Sequence, residues 1–123
     1  MTQQILVVDD DQLMHRLFQH HLERAGYQMV SAMNGREALE LVSRKPPQLI
    51  VMDIMMPDTD GLAALRELKK NEATKGIPVI VITANSHVMM RKESESCGAE
   101  VFLTKPFSPT QLLNEIRRLV PPA

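Results

Sequence analysis

The feature that most limits what this chain can fold into is a fivefold alternation of short β-branched runs with longer segments of helical spacing. The runs are Ile5 to Val8, Gln28 to Ala32, Leu49 to Met52, Val79 to Ile82 and Glu100 to Leu103. The segments between and after them are Leu13 to Ala25, Arg36 to Ser43, Gly61 to Lys70, Ser86 to Ser96 and Thr110 to Val120. Strict alternation of this kind predicts a parallel sheet covered on both faces, with right-handed crossovers. Its middle strands should then be apolar throughout, as Leu49-Ile50-Val51-Met52 and Val79-Ile80-Val81-Ile82 are. The first helix gathers Met14, Leu17, Phe18, Leu22 and Ala25 near one stripe, and the last gathers Leu112, Leu113, Ile116, Leu119 and Val120. Asn34 with Glu37, and Ser108 with Pro109 and Gln111, fit N-terminal caps. Gly26 follows the first helix where a left-handed residue is wanted.

Residues 1–123 make one domain, long enough to bury roughly two-thirds of its unfolded surface without metal or disulfide support. Pro121-Pro122-Ala123 is left over as the start of a linker or a tail, and an output domain beyond it stays an open question. The longest purely apolar stretches are four residues, Val79 to Ile82 among them, far too short for a membrane span. The amino-terminal residues lack the charge pattern of a signal peptide, and Cys97, the single cysteine, reads as a packing residue in a reducing compartment. A cytoplasmic location is expected. A formal charge of -1 and four aromatics argue against direct nucleic-acid binding.

Open parallel sheets bind ligands beyond the carboxyl ends of their strands. Here the first strand runs into Asp9-Asp10, the third into Asp53, the fourth into Thr83, and the fifth leads to Lys105-Pro106. Each residue alone has a plainer reading: a helix cap for Asp10 or Asp11, a turn for Thr83, a solvated charge for Lys105. If these strands neighbour one another, three carboxylates, a hydroxyl and an ammonium converge. At a separation of about 5 Å and an effective dielectric near 20, each carboxylate pair would repel by about 3 kcal/mol. Lys105 neutralises one charge, and the rest calls for a hard divalent cation on oxygen ligands, which suits Mg²⁺.

Four segments carry a resemblance: Ile5-Leu6-Val7-Val8-Asp9-Asp10; Val51-Met52-Asp53-Ile54-Met55-Met56-Pro57 with Asp60-Gly61; Val81-Ile82-Thr83-Ala84; and Gly98-Ala99 with Phe102-Leu103-Thr104-Lys105-Pro106-Phe107. In this order and spacing the chain resembles the receiver domains of two-component response regulators, especially the single-domain type used in chemotaxis. The resemblance implies a flavodoxin-like doubly wound (βα)5 fold, with strand order 2-1-3-4-5. It implies that Asp53 is the phosphoacceptor, attacking a phosphohistidine on a sensor histidine kinase or phosphotransfer protein. Asp9, Asp10, Asp53 and the main-chain carbonyl of Met55 would hold Mg²⁺, Lys105 would pair with a phosphoryl oxygen, and Pro106 would follow a cis peptide bond. Thr83 and Phe102 would form a switch pair that remodels the surface of the fourth helix, fifth strand and fifth helix, about Ser86 to Val120, to control a downstream target protein or fused output domain. Such a protein is not a turnover enzyme. Met55 and Asn85 stand where the family tunes phosphoryl lifetime, and an apolar Met55 should slow hydrolysis.

His15, His20 and His21 read as a solvated helix face without a third ligand. Met89-Met90 reads as an adaptable partner surface. Two rival readings remain. Asp9-Asp10-Asp11, Thr83 and Lys105 imitate a haloacid-dehalogenase-type phosphatase, but the only acid after Lys105 is Glu115, in mid-helix. A binding module that has lost phosphorylation would be expected to lack Asp53, Lys105 or the acidic pair.

Overall fold

The computed structural model describes residues 3–56, 59–84 and 88–122, with side chains described at all of these except 55, 56, 59, 60 and 88–90. Five strands, β1 (Gln4–Val8), β2 (Gln28–Ala32), β3 (Leu49–Asp53), β4 (Val79–Thr83) and β5 (Val101–Thr104), form one sheet in the order β2-β1-β3-β4-β5. Every pairing in it is parallel. The helices are α1 (Gln12–Arg24), α2 (Gly35–Arg44), α3 (Gly61–Lys70), α4 (Val88–Ser96) and α5 (Pro109–Leu119). Each expected element is present, with its described ends within one residue of expectation; residues 86 and 87, expected to open the fourth helix, lie outside the described residues. Residues Met55–Met56 and Thr59–Asp60 add a short antiparallel pair between β3 and α3 that periodicity did not reveal.

Because successive side chains of a strand point to opposite faces, the sheet divides the interior into two cores. One packs Leu6, Val8, Ile50, Met52, Val79 and Val81 against α2 and α3 through Ala38, Val42, Leu65 and Leu68. The other packs Ile5, Val7, Leu49, Val51, Ile80 and Ile82 against α1 and α5 through Phe18, Leu22, Leu112 and Ile116. All ten residues of β3 and β4 are buried, as a two-sided sheet demands. Cys97 is partly buried against the first core.

Local chemistry fixes where helices begin. Asn34 accepts the Glu37 N–H at 2.8 Å and Ser108 that of Gln111 at 3.3 Å, so both predicted caps are present. Gly26 closes α1 at a φ of 92°. Gly61 is required for a different reason: a Cβ there would lie 2.6 Å from Ile54 Cα and 3.1 Å from the Asp53 carbonyl oxygen. The start of α3 is thus pressed directly onto the backbone that follows β3.

The predicted apolar stripe of α1 holds at Phe18 and Leu22, and at Met14 and Ala25 packed partly buried against the same core, but the structure corrects it at Leu17. The helix's buried residues are His15, Phe18 and Leu22, while Leu17 is 40% exposed and Leu13 70%. His15 does not sit on a solvated face.

Candidate functional site

The carboxyl ends of β1, β3, β4 and β5 meet at one edge of the sheet. Asp9 follows β1 directly and is fully buried, because its N–H continues the ladder to the Ala32 carbonyl at 3.1 Å and brings its side chain over the strand end. Asp10, one residue further, is exposed. Asp53 is the last residue of β3, paired with Ile82, and is 4% exposed. One carboxylate oxygen from each of Asp9, Asp10 and Asp53 lies within 4.8 Å of the other two. The three acids that the sequence puts at strand ends thus share one pocket.

Lys105 bridges two of them. Its Nζ donates to Asp53 Oδ2 at 2.8 Å and to Asp9 Oδ2 at 3.0 Å. Burial opposes the charged ammonium, but the hydrogen bonds to Asp53 and Asp9 and the charges of both outweigh it and hold its pKa above the ordinary 10.5. The Lys105 N–H donates to the Thr83 carbonyl at 2.8 Å, extending the β4–β5 ladder by one bond and aiming the lysine at the acids. The Lys105–Pro106 peptide is cis, as the family resemblance implied. Thr83 is fully buried at the end of β4.

Phe102 is 8% exposed, with the Arg91 guanidinium of α4 lying 5.6 Å from its ring centre. Arg91 in turn pairs with Glu95 at 3.3 Å. Asp11 caps α1, its side chain accepting the Leu13 N–H at 2.9 Å, as expected for the third acid of the run. Of the other sites read from the sequence, Met55 has a described backbone only, Met89 and Met90 likewise, and Asn85 lies outside the described residues.

An all-oxygen donor set with three convergent carboxylates fits a hard, oxygen-seeking cation. Three acids facing one ammonium leave surplus negative charge, so a cation has an electrostatic reason to bind. Asp9, Asp10 and Asp53 are the side chains that would hold it.

Two features escaped sequence reading. His15 lies behind the acids, with its Nε2 2.6 Å from the Asp9 main-chain oxygen. Its spacing with Phe18, Leu22 and Ala25 matches a buried helix stripe, a signal masked by the polarity of the residue. Beside the acids, Leu13 and Leu17 are exposed, and a shallow hollow lined by Met14, Leu17, Lys105, Pro106 and Phe107 opens next to them.

Fold and cleft together define a flavodoxin-like α/β domain of receiver type, with an acidic, lysine-bearing pocket at the strand ends. The family model for the response regulator receiver domain matches residues 5–117, and the chain belongs to that family. Among solved structures, chemotaxis protein CheY4 of Vibrio cholerae superposes with a TM-score of 0.90 at 28% identity, over 98% of this chain and 100% of that one. The receiver domain of a signal transduction histidine kinase from Syntrophus aciditrophicus gives 0.90 at 38% identity, over 97% and 90%. That of a Pseudomonas aeruginosa sensor histidine kinase, described with a magnesium ion coordinated in its active-site cleft, gives 0.87 at 28%, over 97% and 98%. By sequence the chain is 33% identical to the alkaline phosphatase synthesis transcriptional regulatory protein PhoP of Bacillus subtilis, over 98% of this chain and 49% of that protein. It is 38% identical to the probable transcriptional regulator ycf27 of Porphyridium aerugineum, over 96% and 48%. The chain thus spans about half the length of these regulators.

Proposed function

We propose that this domain is a phosphorylation-dependent signalling switch in which Asp53 accepts a phosphoryl group from a phosphohistidine on a sensor kinase or phosphotransfer protein. The observation that carries the reading is the bridge from Lys105 to both Asp53 and Asp9, with Asp10 close by. An Asp53 oxygen attacks phosphorus, the bond to the donor imidazole nitrogen breaks, and Asp53 becomes an acyl phosphate. Lys105 already touches the acceptor carboxylate and is placed to pair with a phosphoryl oxygen as charge shifts onto it. Asp9, Asp10, Asp53 and the Met55 carbonyl would hold Mg²⁺, which when bound screens charge on the transferring group. The gate is geometric, so a donor has to present its phosphoryl group to the open side of the pocket. Leu13, Leu17 and the Phe107 hollow offer apolar surface there for the donor's helices to cover.

Added charge at Asp53 then draws the Thr83 hydroxyl, and Phe102 and the surface of α4, β5 and α5 rearrange toward a downstream target or fused output domain. Phosphoryl turnover is limited to the domain's own modification and slow hydrolysis, so it acts as a switch rather than an enzyme. Among the described residues, no helix is long and apolar enough to cross a membrane.

The test is intact mass after incubation with Mg²⁺ and a small phosphodonor. Wild type should gain one phosphoryl group and Asp53→Asn none. Steady donor turnover that needs Asp9 but not Asp53 would point to a phosphatase, and no labelling would point to a silent binding module.

A further inference from the structure

We infer that His15 is a positioning residue for the cation site, an inference that rests on the function proposed above. Its Nε2–H clamps the Asp9 main-chain carbonyl and so fixes the β1–α1 corner that carries both Asp9 and Asp10.

The need for a clamp follows from the sheet. Residue pairing of β1 with both neighbours ends at Val8, opposite Ala32 and Met52, so the Asp9 carbonyl has passed the last ladder donor. Asp9 is fully buried, and a buried carbonyl without a partner is costly. The His15 ring supplies the donor at 2.6 Å; a carbonyl only accepts, so the proton is on Nε2. His15 is 8% exposed, and its Nδ1 is buried without a hydrogen-bond partner. Among the described residues the ring's one polar contact is the Asp9 carbonyl, and the ring is placed for that contact.

The clamp closes a ring of hydrogen bonds around the corner. The Asp11 N–H donates to Asp9 Oδ1 at 2.9 Å, the Leu13 N–H to Asp11 Oδ1 at 2.9 Å, and the His15 N–H to the Asp11 carbonyl at 3.2 Å. The His15 side chain then returns to Asp9. The ring holds the backbone on either side of Asp10, whose exposed carboxylate has an oxygen within 4.8 Å of those of Asp9 and Asp53. Repulsion favours opening the corner; the ring of bonds resists it and keeps the donor oxygens ready before a cation arrives.

The experiment compares wild type, His15→Leu, His15→Asn and His15→Gln in the full chain. Gln places an amide N–H close to where Nε2–H stands, Leu keeps bulk without a donor, and the Asn amide is too short to reach. Calorimetric Mg²⁺ titration should show affinity about 10-fold weaker for Leu and Asn, the range typical when a residue that orients a metal ligand is lost, with Gln within about threefold of wild type. Amide exchange at Asp11 should quicken in Leu and Asn but not in Gln. At saturating Mg²⁺, phosphoryl uptake by the Leu variant should return to near the wild-type rate. The inference is overturned if Leu and Asn match wild type in affinity and exchange, or if Gln falls as far as they do. A wild type that binds no Mg²⁺ would instead remove the proposed function, and Asp11 exchange would still uphold or overturn the clamp by itself.

Discussion

Two lysines tie strands to neighbouring elements at opposite edges of the sheet, and they do so with opposite results. At the amino-terminal edge, Lys69 Nζ reaches both Glu100 oxygens at 3.2 and 3.0 Å and the carbonyls of Ile77 and Lys75 at 2.8 and 3.2 Å. Glu100 also accepts the Val79 N–H at 2.7 Å, and Gly98, at a φ of 105°, leaves room for the lysine stem, which a Cβ would approach to 3.0 Å. One ammonium meets one carboxylate, and the remaining bonds are to the backbone. At the carboxyl-terminal edge, Lys105 faces three carboxylates. The balanced network braces the fold, whereas the unbalanced one gathers surplus negative charge around a single ammonium. A lysine–carboxylate pair therefore says little about role until the neighbouring charges are counted.

Exchanging each lysine for methionine should break the comparison most visibly. Lys105→Met should lower phosphoryl uptake per folded molecule by about 100-fold, the scale for removing one charge-stabilising donor, and should also cost about 3 kcal/mol of stability because the buried Asp9 and Asp53 lose their shared cation. Lys69→Met should differ in function rather than in stability, costing about 2–3 kcal/mol in denaturant unfolding because Glu100 and two carbonyls lose their partner, with uptake per folded molecule unchanged. A smaller effect separates repulsion from bonding. Asp10→Asn removes an acid that Lys105 does not touch, so without Mg²⁺ it should raise Tm by about 2–4 °C, and with Mg²⁺ it should lose the ligand-induced rise seen in wild type.

The smallest effect lies in alkali. A lysine whose pKa is raised by folding contributes stability that is complete below its unfolded value, near 10.5, and disappears as pH climbs through the higher folded value. The stability gap between wild type and Lys105→Met should therefore stay constant from pH 7 to about 10 and change only above that. Tyr27 needs separating in the same window. Burial raises its phenol pKa against the lowering charge of Arg117, and its hydroxyl donates to the Val120 carbonyl at 2.6 Å. Repeating the titration in Tyr27→Phe isolates the lysine.

What the sequence made legible was what local chemistry dictates. Apolar runs marked the strands, Asn34 and Ser108 marked two caps, and because strand ends share an edge in a parallel sheet, Asp9, Asp10, Asp53, Thr83 and Lys105 could be assigned to that edge, while which strands are neighbours came from the family resemblance. What stayed hidden depends on contacts distant in sequence or against residue type. His15 is buried because of one carbonyl six residues back, while Leu17 faces outward because α1 turns its His15–Phe18–Leu22 side to the sheet. The Lys69–Glu100 brace joins residues 31 apart, and neither lies in a motif.

The uncovered leucines of α1 also set how the protein behaves in a tube. With a formal charge of -1 and an isoelectric point near 6.4, little long-range repulsion keeps one copy from another in mildly acidic buffer. Leu13 and Leu17 then offer an adhesive spot, so clarity at high concentration should improve with each step of alkalinity away from that point, and a helix that shields the spot would act as a solubiliser as much as a binder.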